Sequence, residues 1–187
     1  MRKWIKFRTV VKDVIFNKER DTFSVVVKDL VEDKVKEPEE FDYVLVCTGH
    51  FSVPHIPDFA GIEKFPGRVM HAHDFRDANE FKDKTLLLIG SSYSAEDIAL
   101  QCIKYGARKV IITWRSQPLG FKWPDQVEER PLIQRFDGTT AHFKDGSSAD
   151  VDVVLMCTGY LHSYPFLRSS PRPSLDPHLL FAGRSSG

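Results

Sequence analysis

Apolar and polar positions along this chain fall into short, strand-length runs, with a helical period in one place. Ile5 to Phe16 and Thr22 to Val27 are rich in β-branched and aromatic residues, and the polar segment NKERD from Asn17 to Asp21 separates them. That pattern predicts a hairpin or meander. Val31 to Glu40 is charge-rich and reads as an exposed loop. Phe41 to Gly49, FDYVLVCTG, then climbs into an apolar run that stops at glycine, which predicts a buried strand. Val151 to Gly159, VDVVLMCTG, repeats the same word, with aspartate second and Cys-Thr-Gly last. Two like strands that bracket a segment suit an exit and a return crossing between two domains. Buried parallel strands also draw on few residue types, and the pattern leaves both explanations open.

Inside the bracket, TLLLIGSSYSA from Thr85 to Ala95 runs an apolar strand into a turn of small residues. Ala95, Ile98, Ala99, Cys102 and Ile103 then follow the three-and-four spacing of a buried helix face, and Gly106 stands where a left-handed C-terminal cap belongs. Strand, tight turn and helix in that order form a dinucleotide site, with the first N–H groups of the helix facing a pyrophosphate. Gly90, Ser92 and Ala95 take the small positions, and Ser92 in place of a middle glycine adds a hydroxyl donor. On this reading Gly90→Val abolishes nucleotide binding and leaves the chain folded.

The next strand, Lys109 to Trp114, ends beside the expected adenosine ribose with Arg115 and Ser116. A guanidinium and a hydroxyl there favour the 2'-phosphate of NADP, where a carboxylate would favour NAD. The plain alternative is a solvated arginine after a strand. Pro118, Gly120 and Pro124 interrupt any periodicity between Gln117 and Arg130, so this stretch reads as a loop, with Phe121, Lys122 and Trp123 folded against the domain or the nucleotide. Thr139 to Phe143, followed by Asp145 and Gly146, reads as a strand and turn.

The chain has 187 residues, enough for one full domain and part of another. Its 26 basic and 26 acidic residues balance, so no overall field recruits nucleic acid or an anionic membrane. The opening MRKWIKFRTVVKD holds no apolar run long enough for a signal peptide or membrane span, and a cytoplasmic setting is expected. Cys47, Cys102 and Cys157 stand at no metal-ligand or redox-pair spacing and are expected to be core thiols, with neither a metal site nor disulfides. The lack of a redox pair sets aside a pyridine-nucleotide disulfide reductase.

Upstream of the turn, Phe65, Gly67, His71 and Phe75 spell F-x-G-x-x-x-H-x-x-x-F, and Gly90, Ser92, Ser94 and Ala95 spell G-x-S-x-S-A. With these motifs the chain, from about Ile5 to Leu167, resembles the central part of the class B flavin-containing monooxygenases, in their bacterial amine-oxidising branch. GFKWP from Gly120 to Pro124 and ERP from Glu129 to Pro131 also look like that branch. The related Baeyer-Villiger enzymes carry tryptophan at the last fingerprint position, and Phe75 departs from them.

The resemblance implies that NADPH reduces FAD, that the reduced flavin captures O2 as a C4a-hydroperoxide, and that this species oxygenates a soft nitrogen or sulfur of a small amine or sulfide, trimethylamine for example. No side chain is then required as nucleophile or as acid or base. Gly90, Ser91, Ser92, Tyr93, Ser94, Ala95, Arg115 and Ser116 would hold NADP, with Tyr93 near the flavin and nicotinamide. Thr48, Gly49, Thr158 and Gly159 would lie on the FAD side. His71 would couple the linker to nucleotide binding without transferring a proton, the alternative being a hydrogen-bonded loop histidine.

The fold class this implies is α/β, a Rossmann-like NADP-binding domain inserted in a partial FAD-binding domain, the two-dinucleotide-domain flavoprotein architecture in truncated form. Its expected divisions are FAD-domain residues 1–49, a fingerprint linker 50–82, the NADP domain 83–157, a return linker 158–167, and a disordered tail 168–187 rich in Ser, Pro and Arg. No G-x-G-x-x-G precedes Gly90, so the FAD domain is expected to be incomplete. A chain that only binds NADP, without turnover, is the competing expectation. Exposed edges of a partial sheet leave self-association open.

Overall fold

The computed structural model describes residues 2–167, and the predicted tail 168–187 lies outside the described residues. The chain divides into two compact units, one from the N-terminus to Gly49 together with the chain from Ser163, the other His50–His162.

In the first unit, β1 (Thr9–Asn17) and β2 (Thr22–Asp29) form the expected antiparallel hairpin. Asn17 builds its turn by accepting from the N–H groups of Glu19 and Arg20 at 3.0 and 3.2 Å, the usual use of asparagine where a strand ends. Phe16 and Phe23 meet across the hairpin with ring centroids 5.0 Å apart. A register shift between Val11 and Asp13 marks a bulge in β1. Val14 N–H donates to Phe166 O at 2.8 Å, which ties the returning chain to this hairpin.

Two expectations are corrected in this unit. The charge-rich segment after β2 is more than a loop, because β3 (Lys34–Val35) and β4 (Glu39–Phe41) both pair with β2. Its charges sit on exposed side chains, whereas the pairing is made by the backbone. The predicted buried strand Phe41 to Gly49 is absent past Phe41, and Leu45 is 80% exposed. An apolar run becomes a buried strand only when neighbouring strands cover it, and among the described residues 42–49 belong to no strand. Cys47, expected in the core, is exposed for the same reason, while Cys102 and Cys157 are buried.

The second unit begins with β5 (Val53–Pro54), β6 (Arg68–His71) and β7 (Thr85–Ile89). Helix α1 (Tyr93–Lys104) and β8 (Lys109–Trp114) follow, with Gly106 at φ 92° ending the helix as its spacing predicts. Next come β9 (Val127–Pro131), β10 (Ile133–Asp137), β11 (Thr140–Phe143) and β12 (Ser148–Asp150), then β13 (Val153–Met156) and β14 (Tyr160–Leu161). A five-stranded sheet runs in the order β6-β13-β7-β8-β9, and every pair in it is parallel.

Both faces of that sheet are covered, which explains why its central strands are apolar at every position. Leu86, Leu88, Val110, Ile112, Val153 and Leu155 pack on the α1 side with Ala95, Ala99 and Cys102. Leu87, Ile89, Ile111 and Val154 face the other way, onto Ile133, Phe136, Ala141 and Phe143 of the small antiparallel sheet β10-β11-β12.

Two further boundaries move. The loop expected up to Arg130 ends at Gln126, because β9 adds to the sheet edge beside β8. Its EERP sequence suits an edge, where Lys109 and Arg130 neutralise Glu128 at 3.0 Å each. The stretch 50–82, read as a linker, supplies β6 to the same sheet.

Candidate functional site

The site is built where the parallel strands end. β7 delivers the chain to Gly90 at φ 120°, and a Cβ there would lie 2.4 Å from Cys157 O, just past the end of β13. Glycine is therefore required both by conformation and by the close passage of a second strand's exit. Ser92 precedes α1 and makes no side-chain cap hydrogen bond, so the first N–H groups of the helix stay available as donors. With the positive end of the helix dipole, these donors suit a phosphate.

A cleft of about 670 Å3 opens at this point. Gly90, Ser91 and Ser92 line it from the turn, Arg115 and Ser116 from the end of β8, and Thr158 and Gly159 from the exit of β13. Three sequence-separated groups of the expected site thus share one cleft. Arg115 is exposed and makes no ion pair among the described residues. Ala95 is fully buried under the sheet and serves packing, Ser94 is exposed, and Tyr93 is 84% exposed at the first position of α1. Neither Tyr93 nor Ser94 lines the cleft. Thr48 and Gly49 belong to the other unit.

The cleft also has walls that the motif reading did not include: His55, Pro57 and Phe59 on one side, Gln117, Pro118, Leu119 and Leu132 on another, and Cys157 at its base. The prolines around His55 and the broken periodicity after Ser116 were the only local signals for them, and neither points to a ligand. Burial pushes the Cys157 thiol up to about 12, so this cysteine lines the site as a neutral group.

The exit turn of β13 is held from two sides. Gly159 O accepts from His55 N–H at 2.9 Å and from His71 Nε2 at 3.0 Å, and the Thr158 hydroxyl donates to His55 O. The N–H of His73 can only donate, so His71 Nδ1 accepts it at 3.0 Å and the ring proton sits on Nε2. β14 and β5 then pair antiparallel, which lays the outgoing and returning chains side by side.

Of the remaining fingerprint residues, Gly67 makes room for the chain entering β13, and the two phenylalanines pack against other aromatic rings. A Cβ on Gly67 would lie 2.3 Å from Asp152 O, at the strand's start. Phe65 packs on Phe136 with centroids 5.5 Å apart, and Phe75 stacks on Phe81 at 6.0 Å.

His71 is buried, and desolvation holds its pKa below the ordinary 6.5, with the Gly159 carbonyl opposing. The neutral ring is the one the fold uses, so its contribution to stability is complete above 6.5 and is lost as pH falls toward the lowered value. Denaturant unfolding from about pH 7.5 to about pH 5 is expected to show a loss of stability in the parent that is smaller in His71→Gln. Equal losses in the two would remove His71 as the titrating group.

This geometry can be set beside known proteins. The model of the flavin-binding monooxygenase-like family matches residues 1–119. The chain belongs to that family. It is 54% identical over 187 residues to a trimethylamine monooxygenase of Methylocella silvestris, covering 100% of this chain and 41% of that one. Among solved structures, Tmm from a Pelagibacter species superposes with a TM-score of 0.79 at 53% identity, over 87% of this chain and 36% of that one. The S-allyl-L-cysteine S-oxygenase of Allium sativum superposes at 0.72 with 32% identity, over 86% and 37%. The chain spans about two fifths of the length of the curated relatives it matches. Among the described residues of this flavin-binding monooxygenase-like chain, no cluster of side chains could hold a metal ion, and no helix is long and apolar enough to cross a membrane.

Proposed function

We propose that this chain supplies the NADP-binding body of a flavin-dependent monooxygenase that uses NADPH and O2 to oxygenate a soft nitrogen or sulfur of a small substrate. A trimethylamine-like amine is the favoured substrate. One observation carries the reading: the uncapped start of α1 at Gly90 to Ser92 and the Arg115-Ser116 pair line a single cleft. Backbone N–H groups at one end and a guanidinium at the other suit the two phosphate groups of one NADP molecule, its pyrophosphate and its 2'-phosphate. The relatives' names carry the substrate class, a trimethylamine monooxygenase and an S-oxygenase both acting on a soft heteroatom.

NADPH, when bound, would supply a hydride for the flavin. The residues present do the holding: Ser91 and Ser116 add hydroxyl donors beside the phosphates, and Arg115 pairs with the 2'-phosphate. Tyr93, exposed at the head of α1, is free to lie against the nicotinamide and flavin. Thr158 and Gly159, on the wall of the cleft, stand on its flavin side. His71 holds the Gly159 carbonyl through Nε2–H and moves no proton.

The overall balance is NADPH, a proton, O2 and the amine going to NADP, water and the amine oxide. The full protein is expected to carry flavin visible by absorption and to form trimethylamine N-oxide in step with NADPH consumed. NADPH oxidation without amine oxide or sulfoxide formation would overturn the proposal.

A further inference from the structure

The GFKWP and ERP segments meet in the structure, nine residues apart in sequence at the point of contact. Glu129, on edge strand β9, accepts from Leu119 N–H at 2.6 Å through Oε1 and from Gly120 N–H at 3.1 Å through Oε2. Both carboxylate oxygens are thus committed to the backbone of the segment that follows Arg115 and Ser116. That segment is a wall of the cleft, through Gln117, Pro118 and Leu119. Its near end is tied to the nucleotide turn, since Ser91 Oγ lies 3.5 Å from Gln117 O. Its far end continues into Phe121 and Trp123, whose rings meet at 5.4 Å, with Trp123 packed on the α1-side core. Gly120 takes φ 70° with open space around it, so glycine is there for the backbone path.

We infer that Glu129 is a positioning residue for NADP, holding the 117–120 segment so that Arg115 presents its guanidinium to the 2'-phosphate. This rests on the NADP reading of the cleft. A carboxylate close to an anion site would ordinarily weaken it by repulsion. Glu129 does not line the cleft, and its oxygens are turned onto two N–H donors. Charge-assisted hydrogen bonds to backbone N–H groups are among the stronger polar contacts a loop can make. Losing both leaves the middle of the segment held only through its ends, the weak Ser91 contact on one side and Trp123 packing on the other.

The test is a double-mutant cycle on nucleotide binding by the full protein, titrated with NADP+ and with NAD+. Glu129→Ala is expected to weaken NADP+ about tenfold, as loss of a charge-assisted contact predicts, and to leave NAD+ nearly unchanged. Arg115→Ala/Glu129→Ala is expected to bind NADP+ no worse than Arg115→Ala alone, because both act through one guanidinium. Glu129→Gln keeps one acceptor and should fall between parent and alanine variant, and it carries the test if Glu129→Ala melts early. Unchanged NADP+ affinity, equal loss for both nucleotides, or fully additive losses would overturn the role of Glu129 while Arg115→Ala still discriminates. If Arg115→Ala itself weakens both nucleotides equally, the NADP reading falls and this inference with it.

Discussion

Gly90→Val is expected to cost the protein stability as well as its nucleotide site. The sequence pattern alone predicts loss of binding in a folded chain, because the glycine there is read as making room for phosphate. The structure adds a second constraint from inside the protein. A side chain at Gly90 would begin 2.4 Å from Cys157 O and 3.0 Å from Cys157 C, and these are backbone atoms of the β13 exit that cannot rotate away. The residue also stands at φ 120°, a conformation that L side chains rarely adopt. Backbone strain and overpacking together should cost roughly 3 kcal/mol or more. Thermal or denaturant unfolding of Gly90→Val should show that loss. Gly120→Ala provides the contrast, since its φ of 70° is also positive but nothing lies within 4 Å. It should cost about 1–2 kcal/mol, the price of conformation alone. Similar stability losses in the two variants would mean that the Cys157 contact does not matter.

The same comparison shows what the sequence could and could not say. The β7-turn-α1-β8 unit was legible because its signals are local: an apolar run, a small-residue turn, a three-and-four helix face and a glycine cap. Strand β13 was legible from its apolar word, yet the twin word from Phe41 to Gly49 was misread. Hydrophobicity says that a segment will be covered and is silent about what covers it. Strands β6 and β9 were missed because they lie at the two edges of the parallel sheet, where polar residues are tolerated and the alternation is lost. The fingerprint was legible as a motif but not as a mechanism. Gly67 makes room for Asp152 O, and His71 holds Gly159 across 88 positions, so the reason for each residue lies far away in sequence. The motif thus meets β13 at both ends, through Gly67 at its start and His71 at its exit, where Gly90 also passes close to Cys157 O. The cleft walls at His55 and Gln117 to Leu119 carry no motif at all, and only the folding of three chain segments onto one strand end brings them together.

Arg115→Ala should weaken NADP+ binding by roughly thirtyfold and hardly affect NAD+, from the ordinary worth of a charge-assisted hydrogen bond. Geometry and charge act together at this position. Arg115 follows β8, whose parallel partner β7 leads straight into the Gly90 turn, so a nucleotide with its pyrophosphate at α1 extends its adenosine ribose toward the end of β8. There the described residues offer one guanidinium and the Ser116 hydroxyl, and no carboxylate lines the cleft. A site without a carboxylate lacks the charged acceptor that best suits the ribose 2'-hydroxyl of NAD and has no negative side chain to repel a 2'-phosphate. Arg115→Lys keeps the charge but gives up the two-pronged contact, so it should recover part of the lost affinity, and raised salt should narrow the difference between NADP+ and NAD+ in the parent. Equal weakening of both nucleotides by Arg115→Ala would place the guanidinium on a part of the cofactor that the two share, and the preference for NADP would have to come from another residue.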